Sequence, residues 1–189
     1  MTHARTVGIV RTSLIEAFAD VDGWFERPAD ERAFRPASQG WTIDQVLEHI
    51  SLTNHFLMVT LRKAVEKAVD RAAHGQPIPA GESDLQRLDA IGRRGSFTWI
   101  RPEHMEPGGR TNPVDVRAML QRQREECVAL LEQLNQGEGA LCLLHMSVNA
   151  LGRIDLYQWL LFLAQHVRRH VQQMALIENE FKAGSRMCH

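Results

Sequence analysis

Four stretches of this chain repeat apolar residues at steps of three and four, and none sustains the alternation of a half-buried strand. That regularity confines the chain to packed helices. The first stretch runs from about Arg5 to Asp20, with Val7, Val10, Leu14, Phe18 and Val21 on one face. The second opens at "GWTIDQVLEHI", where Thr42 precedes the apolar pattern and Gln45 follows it in the arrangement of a capping box. Ile43, Val46, Leu47, Ile50, Leu57 and Leu61 then line a long helix that reaches about Ala73. Pro113 suits the first turn of the third helix, whose stripe is Val116, Leu120, Cys127, Leu130, Leu131 and Leu134. The fourth extends from Asp155 to about Lys182 through Trp159, Phe162, Leu163, Val167, Met174, Ile177 and Phe181. The expectation is an all-α four-helix bundle.

The segment from about 74 to 112 separates the second and third helices and is rich in Gly, Pro and Arg. A connection of that length is unusual in a compact domain, often carries function, and allows a crossover between helices that are not antiparallel neighbours. One short helix is expected within it, around Ser83 to Ile91, and a short extended piece from Ala140 to Met146 in the loop before the fourth helix. With 189 residues the chain reads as a single domain over 1–189, with a loop insertion at about 74–112 and a flexible tail from about 183.

Composition narrows the partners. Basic and acidic residues number 22 and 23, a balance that argues against a nucleic-acid-binding fold. No apolar run approaches the roughly 18 residues of a membrane span. The first twenty residues mix acids and arginines into their apolar pattern, unlike a secretory segment. Cys127, Cys142 and Cys188 form neither a close pair nor a metal-knuckle spacing. A cytoplasmic protein acting on a small molecule is expected.

The stretch "LAQHVRRHVQQM" sets His166 and His170 one turn apart on one helix face. Both fall on the apolar stripe of the fourth helix, whereas Arg168 and Arg169 are expected to point elsewhere. His49 lies on the inward stripe of the second helix with Val46, Thr53, Leu57 and Leu61. Buried imidazoles need hydrogen-bond partners or a metal, since an unpaired polar group in a core costs on the order of 1–3 kcal/mol. Two readings satisfy this: a shared divalent cation, or core histidines with separate partners. His3 and His189 sit near the termini, His74 at a helix end, His104 in the long loop, and His55 off the face of His49. His145 has either a structural or a pocket role.

"GWTIDQVLEHI" followed by "LGRIDLYQWLLFLAQHVRRHVQQM" resembles the DinB superfamily of DinB/YfiT-like metalloenzymes. Trp41, His49, His166 and His170 stand at that family's Trp, its second-helix His and its His-x-x-x-His pair. Gly152 and Ile154 before the last helix, and Arg169, His170 and Gln173 within it, extend the match. The resemblance implies up-down-down-up connections and a divalent metal, zinc or nickel, held by His49, His166 and His170. It further implies thiol-dependent transferase or isomerase chemistry, some relatives using a low-molecular-weight thiol, bacillithiol or mycothiol; others are described as metal-dependent hydrolases.

Three neutral ligands leave a cation its full charge and an open position, so a bound thiol or water loses its proton readily. The two outcomes are thiol transfer and hydrolysis; the rival of another class is a non-enzymatic metal-binding or dimerising helical module of a stress response. Glu48 adjoins His49 but points about 100° around the helix. Asp44 and Gln45 are candidate partners that orient His49. Arg93, Arg94 and Arg101 of the long loop, with Trp99 and His104 beside them, could receive an anionic thiol. Trp41 is expected to close the end of the bundle near the site. Ile9, Ile15 and Ala19 leave the first helix apolar outside its main row, which predicts a homodimer.

Overall fold

A computed structural model describes residues 3–98 and 102–187. Trp99, Arg101, Cys188 and His189 lie outside the described residues. The chain is mostly helical: α1 (Ala4–Asp22), α2 (Ala29–Ala33), α3 (Ile43–Ala73), α4 (Pro113–Glu132) and α5 (Leu156–Met187), with a small sheet of β1 (Leu143–Met146) and β2 (Gly152–Asp155). No helix among the described residues is long and apolar enough to cross a membrane.

The long helices begin where their caps dictate. At α3 the Gln45 amide N–H donates to Thr42 Oγ1 at 3.2 Å and the Thr42 N–H donates to Gln45 Oε1 at 3.1 Å, the reciprocal pairing expected from the sequence. Asn112 caps α4 ahead of Pro113, accepting from the Val114 N–H. A second reciprocal box opens α5: Asp155 Oδ1 accepts from the Gln158 N–H at 2.8 Å, and Gln158 Oε1 accepts from the Asp155 N–H at 3.0 Å. α5 then runs past the expected end near Lys182 to Met187.

Apolar stripes decide the packing. α1 lies against α4 and α5, and α3 lies against the same two helices, so the four long helices enclose one core. Leu14 and Phe18 of α1, Leu47 and Leu61 of α3, Leu131 of α4 and Phe162 of α5 are buried there. Burial of side chains this size stabilises by roughly 1.5–3 kcal/mol each.

The departures from expectation are all short elements. The expected helix at Ser83–Ile91 is a 3-10 turn at Leu85–Leu88 followed by turns, because Leu88 and Ile91 are the buried anchors and one turn suffices to place them. The extended piece from Ala140 starts later: Glu138–Leu141 is a 3-10 turn, and only Leu143–Met146 is strand. Its antiparallel partner, Gly152–Asp155, lies where the sequence suggested only the approach to the last helix; Leu144 pairs with Ile154. Four-residue strands are too short to show a period. The five-residue α2 escaped notice for the same reason.

The connection between α3 and α4 lies across α5 and the start of α3. Gln172 Nε2 donates to the Gly92 carbonyl and Gln172 Oε1 accepts from the Arg94 N–H. Nearer α4 the connection is held by Glu48, whose carboxylate accepts from the Gly109 N–H at 2.7 Å and from Thr111 Oγ1 at 2.5 Å. Gly109 has φ +66°, a conformation an L side chain rarely takes, and a side chain there would also press on Gln45.

Candidate functional site

The second turn of α3 and the middle of α5 bring His49, His166 and His170 together. All three are buried, and one ligand atom from each lies within 4.8 Å of the others. The ring centroids of His166 and His170 are 4.5 Å apart, and those of His49 lie 5.4 Å from His166 and 4.8 Å from His170. The Nε2 atoms of His166 and His170 approach to 3.0 Å. Ligand bonds of 2.0–2.1 Å in a tetrahedral site separate neighbouring ligand atoms by about 3.3 Å, so little movement would bring this pair to a shared ion. The three residues could hold a metal ion.

Neighbouring groups prepare the rings. Met105 sits in a 3-10 turn, Glu103–Met105, and its carbonyl lies 2.7 Å from His49 Nδ1. A carbonyl can only accept, so His49 donates from Nδ1 and keeps a lone pair on Nε2. His170 Nδ1 is 2.9 Å from Gln173 Oε1, which assigns its proton likewise. Burial, then the neighbouring His170 and His49, then Arg169 hold the His166 imidazole well below its ordinary value of 6.5, so the ring is neutral near pH 7. Neutral, oriented imidazoles are the form that binds a cation.

One side of the cluster is open. A cavity of about 440 Å³ is lined by His49, His170, Trp41, Gln173, Arg94 and Arg169, together with Gln39 and Gly40. The Trp41 ring is half-buried with its centroid 4.8 Å from that of His49. Arg169 is half-buried and donates to the carbonyls of Arg93 at 2.6 Å and Phe97 at 3.0 Å. Its guanidinium lies 4.5 Å from the Phe97 ring centre. Burial and then the Arg94 charge lower its pKa from the ordinary value.

Several sequence expectations change here. Asp44 and Gln45 do not orient His49: Asp44 pairs with Arg32 at 3.2 Å, and Gln45 closes the capping box. That role falls to Met105, which sequence reasoning missed because a backbone carbonyl carries no residue signature. Arg169 was expected to point away and instead lines the cavity; Arg168 does turn outward, to Glu16. Of the loop residues, Arg94, though exposed, lines the cavity, whereas Arg93 does not line it and His104 stacks edge-on to Phe56. Glu48 turns to the loop, as its place on the helix requires. His145 is exposed on β1 and does not line the cavity beside the histidines. His55 and His74 are exposed as well, while His3 is buried against Tyr157 and 3.2 Å from the Pro79 carbonyl.

No curated protein and no solved structure shows a significant match to the chain. The family model of the DinB superfamily matches residues 10–174, which takes in the three histidines and all four long helices in whole or large part. The chain belongs to the DinB superfamily.

Proposed function

We propose that the protein is a metal-dependent enzyme in which His49, His166 and His170 bind one zinc or nickel ion and the reaction is transfer to or from a small thiol. The observation that carries this reading is the convergence of three buried imidazoles from two helices, two of which, His49 and His170, line an open cavity. A structural site closes its coordination shell with protein ligands, whereas this arrangement leaves room for a substrate. Bound there, the ion would supply Lewis acidity and lower the pKa of a thiol or water placed beside it.

The chain's own residues favour the thiol over the water. Among the described residues no carboxylate lines the cavity. Glu48, the nearest acid in sequence to His49, is committed to Gly109 and Thr111. Hydrolysis is normally helped by a base that takes a proton from water. A thiol has a pKa near 8.5 and ionises beside a cation without such help. Trp41 lines the cavity against His49, and the Met105 carbonyl holds His49 in one tautomer.

The helix order proposed is up-down-down-up. In support, Asp22 at the end of α1 pairs with Arg117 in the second turn of α4, and Arg27 just after α1 pairs with Glu178 late in α5. At the opposite end Arg71, late in α3, donates to the Leu141 carbonyl just after α4, and Tyr157 at the start of α5 donates to the Leu134 carbonyl. A homodimer through α1 is proposed as well, because Ile9 and Ile15 are 42% and 46% exposed beside the core row. Light scattering across a dilution series is expected to give twice the chain mass; a single-chain mass throughout would contradict the dimer.

The functional reading is tested on protein purified without added metal. About one equivalent of zinc or nickel per chain is expected, and the cobalt-substituted protein should gain an intense near-ultraviolet thiolate band on adding a small thiol. Absence of bound metal from the folded protein contradicts the metal site. A cobalt spectrum indifferent to thiols contradicts the thiol reaction.

A further inference from the structure

We propose that Arg94 and Arg169 form a carboxylate-binding subsite at the mouth of the cavity, so that the substrate is a small thiol or thiol acceptor carrying at least one carboxylate. The inference deepens the metal-enzyme reading by naming the chemistry of its ligand, and it rests on that reading only for what lies at the other end of the substrate.

Charge balance is the first argument. Arg11, Arg27, Arg32, Arg62, Arg117 and Arg168 each lie within ion-pair distance of a carboxylate. Arg94 and Arg169 have no such partner among the described residues, and although Arg35, Arg71 and Arg87 share that lack, Arg94 and Arg169 are the described arginines that line this one cavity, which no described acid lines. Two guanidiniums lining one open cavity beside the histidine cluster repel one another, and an anion between them relieves that repulsion.

Preorganisation is the second. The guanidinium of Arg169 is held by two backbone carbonyls and lies over the Phe97 ring, which fixes its plane while contributing no formal negative charge. Arg94 is tethered through its own N–H to Gln172 on α5. A planar fork held in place with its charge unspent is the arrangement that recognises a carboxylate through paired N–H···O bonds. Gln39 and Gln173 add amide groups to the same wall. A cavity of about 440 Å³ suits a metabolite-sized ligand, with one end at the histidines and the other at the arginines.

The experiment uses the full chain loaded with cobalt, titrated with mercaptosuccinate and with the uncharged 2-mercaptoethanol, alongside calorimetry with succinate and with inorganic phosphate. Mercaptosuccinate is expected to half-saturate the thiolate band at a concentration about tenfold or more below that of 2-mercaptoethanol, the size expected of a charge-assisted pair. Arg94→Gln and Arg169→Gln should each bring the two thiols to within about threefold, with cobalt still bound. The Arg94 side chain makes no hydrogen bond or ion pair among the described residues, so Arg94→Gln decides the matter even where Arg169→Gln loosens the loop. Equal half-saturation by the two thiols in the unaltered protein, or a preference that survives both substitutions, overturns the subsite. Binding of phosphate but not succinate overturns the carboxylate assignment. A cobalt band that neither thiol induces, with succinate still binding in an Arg94-dependent way, sinks the thiol reaction and supports the subsite. If no cobalt binds, the succinate calorimetry on the metal-free protein decides: Arg94-dependent heat supports the subsite, and its absence overturns it.

Discussion

His3, where α1 begins, and the trio of His49, His166 and His170, set between α3 and α5, are all buried imidazoles, but the chain surrounds them differently. Around His3 most polar groups answer one another: its Nε2 meets the Pro79 carbonyl, Tyr157 donates to the Leu134 carbonyl, and Asp155 accepts from Ser83 and Gln158, while among the described residues its Nδ1 has no hydrogen-bond partner. The trio instead lies ring against ring, opens on a cavity, and has arginines at the rim. One long connection serves both, giving Ser83 and Pro79 to the first region and Met105, Arg94 and Phe97 to the second. Where polar groups close on each other the chemistry is structural. Where three imidazoles from two helices converge beside an open cavity, the region is suited to receive a ligand from outside.

Substitution of Tyr157 gives the largest effect that this contrast predicts. The ring is fully buried and its hydroxyl ties α5 to the end of α4, so Tyr157→Ala should cost about 3–5 kcal/mol in denaturant unfolding. The metal content of the folded fraction should not change; a loss of metal would mean that the two regions are not independent.

Acid should then separate the regions in the metal-free protein. Folding lowers the His166 pKa below 6.5, so the unfolded chain takes up that proton first. The contribution of His166 to stability is whole above pH 6.5 and is lost as the pH falls from there toward the folded value. Asp155 acts in the opposite sense: burial raises its carboxyl above 3.8 against the pull of Ser83 and Gln158. Its contribution is whole below pH 3.8 and is lost as the pH rises through the raised value. Thermal unfolding between pH 7.5 and 5 should therefore show stability falling with acid in the unaltered chain and a smaller fall in His166→Phe; identical profiles would contradict the assignment.

A smaller effect is expected at Trp41. The sequence suggests a closing ring worth a few kcal/mol, but the ring is half-buried and packs against His49 at the edge of the cavity. Trp41→Ala should cost about 1–2 kcal/mol in the same unfolding assay, in proportion to partial burial, and should change thiol binding more than stability. A loss above about 4 kcal/mol would return Trp41 to the core.

The sequence displayed what repeats. Long helices announce themselves by period, and Thr42 with Gln45 marked the start of α3 correctly. The inward stripes alone put His49, His166 and His170 on inward helix faces, and the three do come together. The remainder was hidden for physical reasons. The β1–β2 pair and α2 are too short for a period, and the partner of His49 is a backbone carbonyl delivered from far along the chain. Arg169 shows how a helical wheel misleads: a long side chain beside a stripe reaches around to a cavity that the connecting loop creates. The Asp155–Gln158 box went unread, although Asp-x-x-Gln before an apolar run has the form of a capping box.

The most direct test of the central claim is metal stoichiometry with the visible spectrum of cobalt-substituted protein, measured for the unaltered chain and for His49→Ala, His166→Ala and His170→Ala. The account predicts about one cobalt per chain with a four- or five-coordinate absorption pattern, lost in all three variants while far-ultraviolet circular dichroism still reports helix. Unchanged cobalt content and spectrum in the His166→Ala and His170→Ala proteins would contradict it.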